Sequence, residues 1–151
     1  MNQVLGTSYE IALRALLLLN EVHENDTIFT LDKITALDYI AVYAHDFGLT
    51  KSNLHGYSSY RFGEFAGRRE VMRTGIKGLV LNRTVTAKHT LSGLAYEISE
   101  LGMEFSENIK CNYANEYRGV LCTAMKKLTY KDENELLEMI SKRAIESLRE
   151  G

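Results

Sequence analysis

The chain has 151 residues, 45% of them apolar, a formal net charge of −2 and a mean hydropathy of −0.20. This length suits one domain that buries roughly 70% of its unfolded surface, and no apolar run approaches the ~20 residues of a membrane-spanning helix. The near-neutral total hides an asymmetry. Residues 1–50 carry two Lys/Arg against seven Asp/Glu, residues 51–90 eight against two, and residues 91–151 eight against eleven. A basic middle on an acidic body can steer polyanions, or can meet an acidic protein surface.

Met1-Asn2-Gln3-Val4 has neither a basic segment nor a cleavage site, so no signal peptide is expected. Helical periodicity starts near Thr7 or Ser8, either of which can cap, and runs to Val22. Its apolar residues, with Leu13, Leu16, Leu17 and Leu18 at the centre, nearly encircle the helix, and Leu17 even falls on the stripe of Glu10 and Arg14. Such a helix is covered on more than one side. Either the C-terminal helix buries it, or part of it docks another subunit. Asn25 to Thr27 reads as a turn and Ile28-Phe29 as a short strand. Thr30 then caps a helix from Leu31 to Phe47, closed by Gly48. The stretch from Leu49 to Gly63 is irregular, with Tyr57, Tyr60 and Phe62 interleaved among polar residues.

A basic helix is expected from Glu64 to Gly78. Arg69, Arg73 and Lys77 are four apart and share a face, and Arg68 stands alongside. Gly67, Gly75 and Gly78 each cost a helix roughly 1 kcal/mol against alanine and suggest close packing of another backbone. A hairpin follows: a strand from Arg83 to Lys88, a tip from His89 to Gly93, and a return in Leu94 to Ile98. Ser99 caps a long helix from Glu100 to Lys127. Cys111 and Cys122, eleven residues apart in that helix, would lie ~16 Å apart along its axis, out of disulfide reach, as suits a cytoplasmic protein. Asp132 and Glu135 form a capping box for a last helix to Arg149, whose apolar face includes Leu137, Ile140 and Leu148. The expected architecture is α+β and mainly helical. It is a winged helix-turn-helix in one domain over 1–151, with the wing at about 80–98, added N- and C-terminal helices, and a helical arm at about 100–149.

The motifs of common chemistries are missing. Gly75-Ile76-Lys77-Gly78 is not a phosphate-binding loop, the four histidines stand far apart, and no Cys-x2-Cys pair occurs. No catalytic residue, metal site, cofactor or small-molecule substrate is expected. The basic patch Arg68, Arg69, Arg73, Lys77, Arg83 and Lys88 could neutralise phosphates, although about fifteen residues join the two helices where a helix-turn-helix uses 3–4. Tyr57, Tyr60, Phe62 and Tyr96 could stack on bases, or serve as core or interface aromatics.

Arg61-Phe62-Gly63-Glu64-Phe65, Arg68-Arg69-Glu70-Val71-Met72, Gly75 and Gly78-Leu79-Val80 form a pattern. Leu37-Asp38-Tyr39, the segment from Gly93 to Ser99, and Tyr113 to Arg118 belong to it. In these features the chain resembles the middle component of bacterial ABC-three-component defence systems, a neighbourhood that includes Lamassu-type complexes. The resemblance implies a non-catalytic adaptor of an antiviral (anti-phage, anti-plasmid) complex, tying an SMC/Rad50-like ABC ATPase to an effector nuclease, with DNA as a candidate contact. It makes docking surfaces of the first helix (Leu13, Leu16, Leu17, Leu18) and the last (Leu137, Ile140, Leu148). A homodimeric winged-helix transcription regulator competes with this reading, and an RNA-binding module has the loop aromatics in its favour.

Overall fold

The computed structural model describes residues 8–25 and 27–150. Among them are six α-helices and one two-stranded antiparallel hairpin, a mainly helical α+β arrangement. In chain order these are α1 (Ser8–Glu21), α2 (Leu31–Val42), α3 (Phe65–Leu81), β1 (Val85–Thr90), β2 (Gly93–Ile98), α4 (Glu100–Glu107), α5 (Asn112–Leu128) and α6 (Glu133–Glu150). Thr7, the alternative cap of α1, lies outside the described residues.

Helices α1 and α2 form the centre. Ile11 and Ala15 to Leu19 are all buried on α1, and Ile34, Leu37 and Ile40 to Val42 on α2. The apolar circumference of α1 is therefore used inside the fold. Its cover comes mainly from α3 and α5 rather than from the C-terminal helix, because α6 packs on α2. Where α1 meets α3, a Cβ on Gly75 would sit 2.9 Å from the Ser8 carbonyl oxygen and 3.1 Å from the Ala12 Cβ. Close approach thus explains Gly75. It does not explain Gly67 and Gly78, beside which no atom lies within 4 Å of an added Cβ.

Helix α2 starts as expected, with the Thr30 hydroxyl accepting the Lys33 N–H at 3.2 Å. It stops at Val42, five residues short of Phe47. A 3₁₀ turn (Ala44–Phe47) takes over, and Gly48 closes it in the left-handed region at φ 73°. Ile28 and Phe29 make no strand. The Phe29 carbonyl accepts the Tyr96 N–H at 2.8 Å and Thr30 forms an isolated bridge to Ala95, which moors the loop to β2.

Helix α3 runs past Gly78 to Leu81. The chain reverses through Arg83, a non-glycine residue at φ 69°, and β1 begins only at Val85. The hairpin register runs from Val85↔Ile98 to Thr90↔Gly93 around a two-residue tip, with Gly93 at φ 102°. Ser99 then does two jobs. Its hydroxyl accepts the Gly102 N–H at 3.0 Å, capping α4, and donates to the Arg83 carbonyl at 2.7 Å. Gly102 lies so close to Thr84 that a Cβ there would overlap the Thr84 carbonyl.

The single long helix expected from Glu100 to Lys127 is two. The Asn108 N–H closes α4 on the carbonyls of Glu104, Phe105 and Ser106. Arg118 of α5 then reaches back to the Ser106 and Ile109 carbonyls at 2.6 and 2.7 Å, which holds the break open. Cys111 is the N-cap residue of α5, and both cysteines are free and exposed. The capping box of α6 forms reciprocally. Asp132 N–H donates to Glu135 at 2.9 Å and Glu135 N–H to Asp132 at 2.8 Å.

Candidate functional site

Two groups of charged residues compete for the role of functional site: one in the interior, one on the exposed side of α3. The interior group begins with Glu10 and Arg14, one turn apart on α1, so that both lie on one face of the helix. Arg14 is 1% exposed and Asp38 of α2 is fully buried. Arg14 donates from Nε to Asp38 Oδ1 at 2.8 Å, from Nη2 to Oδ2 at 2.9 Å, and from Nη1 to Glu10 at 2.5 Å. Arg68 of α3 adds a bond to Asp38 Oδ2 at 3.1 Å and another to Glu64 at 3.0 Å. The Tyr117 hydroxyl of α5 donates to Asp38 Oδ1 at 2.7 Å, and Tyr43 donates to Glu64 at 2.6 Å. The irregular loop joins through His55, whose Nε2 lies 2.5 Å from the Tyr113 hydroxyl.

Three carboxylates and two guanidiniums thus meet where α1, α2, α3 and α5 converge. Burial opposes ionisation of Asp38, but Arg14 beside it, then Arg68 and the Tyr117 hydroxyl, hold its carboxyl down at about 2. Burial likewise works against the charge of Arg14, and the Asp38 carboxylate outweighs it, so the guanidinium stays protonated. Burial and the neighbouring Arg14 push His55 down to about 4, which keeps its imidazole neutral at neutral pH. Burial raises the Tyr117 hydroxyl well above its ordinary value, and the Asp38 carboxylate adds to this. Apart from the buried Nε of Arg68, which has no hydrogen-bond partner among the described residues, these groups satisfy one another and clamp four helices and a loop.

Sequence reasoning placed Glu10 and Arg14 on one stripe and counted Arg68 in the surface patch. The structure turns Arg68 inward onto Asp38, with its guanidinium over the Tyr39 and Tyr43 rings at 5.5 and 5.9 Å. The signal that could have found this is the pairing of the lone arginine of an apolar α1 with Asp38, the aspartate set among the apolar residues in the second half of α2, since buried charges come paired.

On the exposed side of α3, Arg69, Arg73 and Lys77 do share a face, and Arg83 and Lys88 are also exposed. Three of these five are answered by acids: Arg69 by Asp32 at 2.5 Å, Arg73 by Glu70 at 3.6 Å, and Lys88 by Glu97 at 2.9 Å. Lys77 and Arg83 have no ion pair among the described residues. Of the loop aromatics, Phe62 is held between Arg61 and Arg143, whose guanidinium carbons lie 4.3 and 4.8 Å from its ring centre. Tyr96 packs partly against the core, and Tyr60 is 83% exposed. Asp46, in the 3₁₀ turn that follows α2, is a paired anchor, accepting from Arg61 Nε at 2.6 Å.

The expected docking residues divide the same way. Leu16, Leu17, Leu18 and Ile140 are buried in the core and Leu13 packs partly against it, so α1 does not offer them to a partner. Leu137 is half-buried and Leu148 is 80% exposed. Among the described residues no group of three or more His, Cys, Asp or Glu is arranged to hold a metal ion, and no helix is long and apolar enough to cross a membrane.

No curated protein and no solved structure matches the chain. A family model described as ABC-three component (ABC-3C) system Middle Component 2 matches residues 4–150, nearly the whole chain, and the protein belongs to that family.

Proposed function

We propose that the chain is a non-catalytic adaptor of an antiviral defence complex, tying an SMC/Rad50-like ABC ATPase to an effector nuclease in the cytoplasm. The observation that carries this reading is membership of a middle-component family, which makes the chain one subunit of a multi-component system with protein partners. Two physical features agree with it. The ionisable groups with the most perturbed protonation are spent on each other inside the fold. Tyr60, Ile145 and Leu148 stand exposed together along one groove instead, and contiguous apolar surface of this kind marks protein contacts.

The order of α3, hairpin and α4 suits a winged helix, with the hairpin as the wing. On this reading the exposed side of α3 with Lys77 and the turn residue Arg83 approach the DNA backbone. The competing homodimeric winged-helix regulator is favoured by the same exposed helix face, but 22 residues separate the end of α2 at Val42 from the start of α3 at Phe65. A helix-turn-helix joins its helices far more tightly.

The reading is tested by immobilising the ATPase component and adding the effector with and without this chain. Retention of the effector only when the chain is present is the expected result. Equal retention without it would remove the adaptor role.

A further inference from the structure

We propose that α6 carries a self-association surface whose occupant is α6 of a second copy of this chain, packed antiparallel about a twofold axis. This goes beyond the adaptor reading and does not rest on it. A stripe along the side of α6 reads Leu137, Ser141, Ala144 and Leu148, in steps of four, three and four, the spacing of a helix–helix seam; Leu137 and Ala144 are half-buried in it and Ser141 and Leu148 exposed. The fold itself uses the adjoining face of the helix, burying Leu136 and Ile140. Leu148 is left 80% exposed and Ile145 51%. Together with Ser141 and Ala144 they form one wall of a groove, with Tyr60 and Phe62 on the other.

The order of residues along the stripe selects the occupant. With the dyad between Lys142 and Arg143, Leu137 lies opposite Leu148 of the second copy, and Ser141 opposite Ala144 of the second copy. Crossed helices approach most closely at the crossing point and diverge away from it. Small residues therefore sit where the backbones meet, and leucines fill the wider ends. Charge favours the same direction. Glu138 and Arg149 flank the seam on one side, and antiparallel packing brings each within two residues, ~3 Å along the axis, of its opposite in the other copy. Parallel packing would carry these two residues to opposite sides of the seam in the two copies and lose both pairings. A twofold contact uses the same patch twice, as this stripe can.

The test is the mass of the full chain alone in solution across micromolar to near-millimolar concentration. A concentration-dependent dimer of about 34 kDa, twice the 17.1 kDa of the chain, is expected. Leu148→Asp should weaken the dimer about tenfold or more, as for an interface anchor, while leaving the helical circular dichroism unchanged. Leu91→Asp, at the exposed hairpin tip, should leave the dimer intact. With Cys111 and Cys122 replaced by serine, the variant carrying Leu137→Cys and Leu148→Cys should cross-link position 137 to position 148 of the other copy. A monomer at every concentration, a dimer indifferent to Leu148→Asp, or a link between two copies of position 137 would each overturn the proposal.

Discussion

Arg14 and Asp38 meet through two near-parallel hydrogen bonds of 2.8 and 2.9 Å, with neither side chain more than 1% exposed. Asp38 also accepts from Arg68 and Tyr117, so one carboxylate joins α1, α2, α3 and α5. Removing it leaves two buried guanidiniums short of their counter-charge. Asp38→Ala should cost about 3–5 kcal/mol, as expected for breaking a buried ion pair from one side. Tyr117→Phe removes one hydrogen bond and should cost about 1–2 kcal/mol. Urea unfolding followed by circular dichroism measures both, and equal effects of the two variants would contradict the central place given to Asp38.

Acid should weaken the fold in two separate windows. His55 has a folded value of about 4, below its ordinary 6.5, so the unfolded chain binds the proton more tightly. Its contribution is full above pH 6.5 and is lost as pH falls towards 4. Asp38, at about 2 against 3.8, contributes fully above 3.8 and loses that contribution as pH falls through 2. The first window should amount to roughly 2–3 kcal/mol. His55→Phe should flatten the decline in unfolding free energy between pH 6.5 and 4, whatever it does to stability at neutral pH. An unchanged slope would refute the assignment.

The backbone offers a contrast between glycines. Gly67→Ala and Gly78→Ala meet open space in α3 and should each stabilise by about 0.5–1 kcal/mol. Gly102→Ala would drive a methyl into the Thr84 carbonyl and should destabilise the chain severely. Arg83, at φ 69°, should gain up to about 1 kcal/mol when replaced by glycine. Melting temperatures of the four variants check the set, and destabilisation by Gly67→Ala would show a contact at that face.

The residues that the sequence made legible are those governed by local rules. Thr30, Ser99 and the Asp132/Glu135 box cap the helices as their side-chain chemistry dictates, and Gly48 ends its turn in the left-handed region. Tertiary choices were hidden. Periodicity alone marks α1 as covered on several sides, but cannot tell α3 and α5 from a partner subunit. Arg68 and Arg69 are adjacent letters of one basic run, yet 100° of helical rotation sends the first to Asp38 and the second to Asp32 at the surface. The break between α4 and α5 depends on Arg118 capturing carbonyls twelve and nine residues upstream, which no local pattern announces.

The basic side of α3 separates DNA from protein as its target. If it meets phosphates, Lys77→Glu with Arg73→Glu should weaken DNA binding across unrelated sequences and flatten its salt dependence. Filter binding or anisotropy at several salt concentrations measures this. Unchanged binding would assign the stripe to a protein contact.

The most direct test of the adaptor role is the native mass of what accompanies the chain. The tagged protein, co-expressed with the other components of its system and purified gently, should emerge in a stable assembly containing the ABC ATPase and the effector. Recovery of this chain by itself, as a monomer or as a 34 kDa pair, about twice 17.1 kDa, with both other components expressed and absent from the complex, would contradict it.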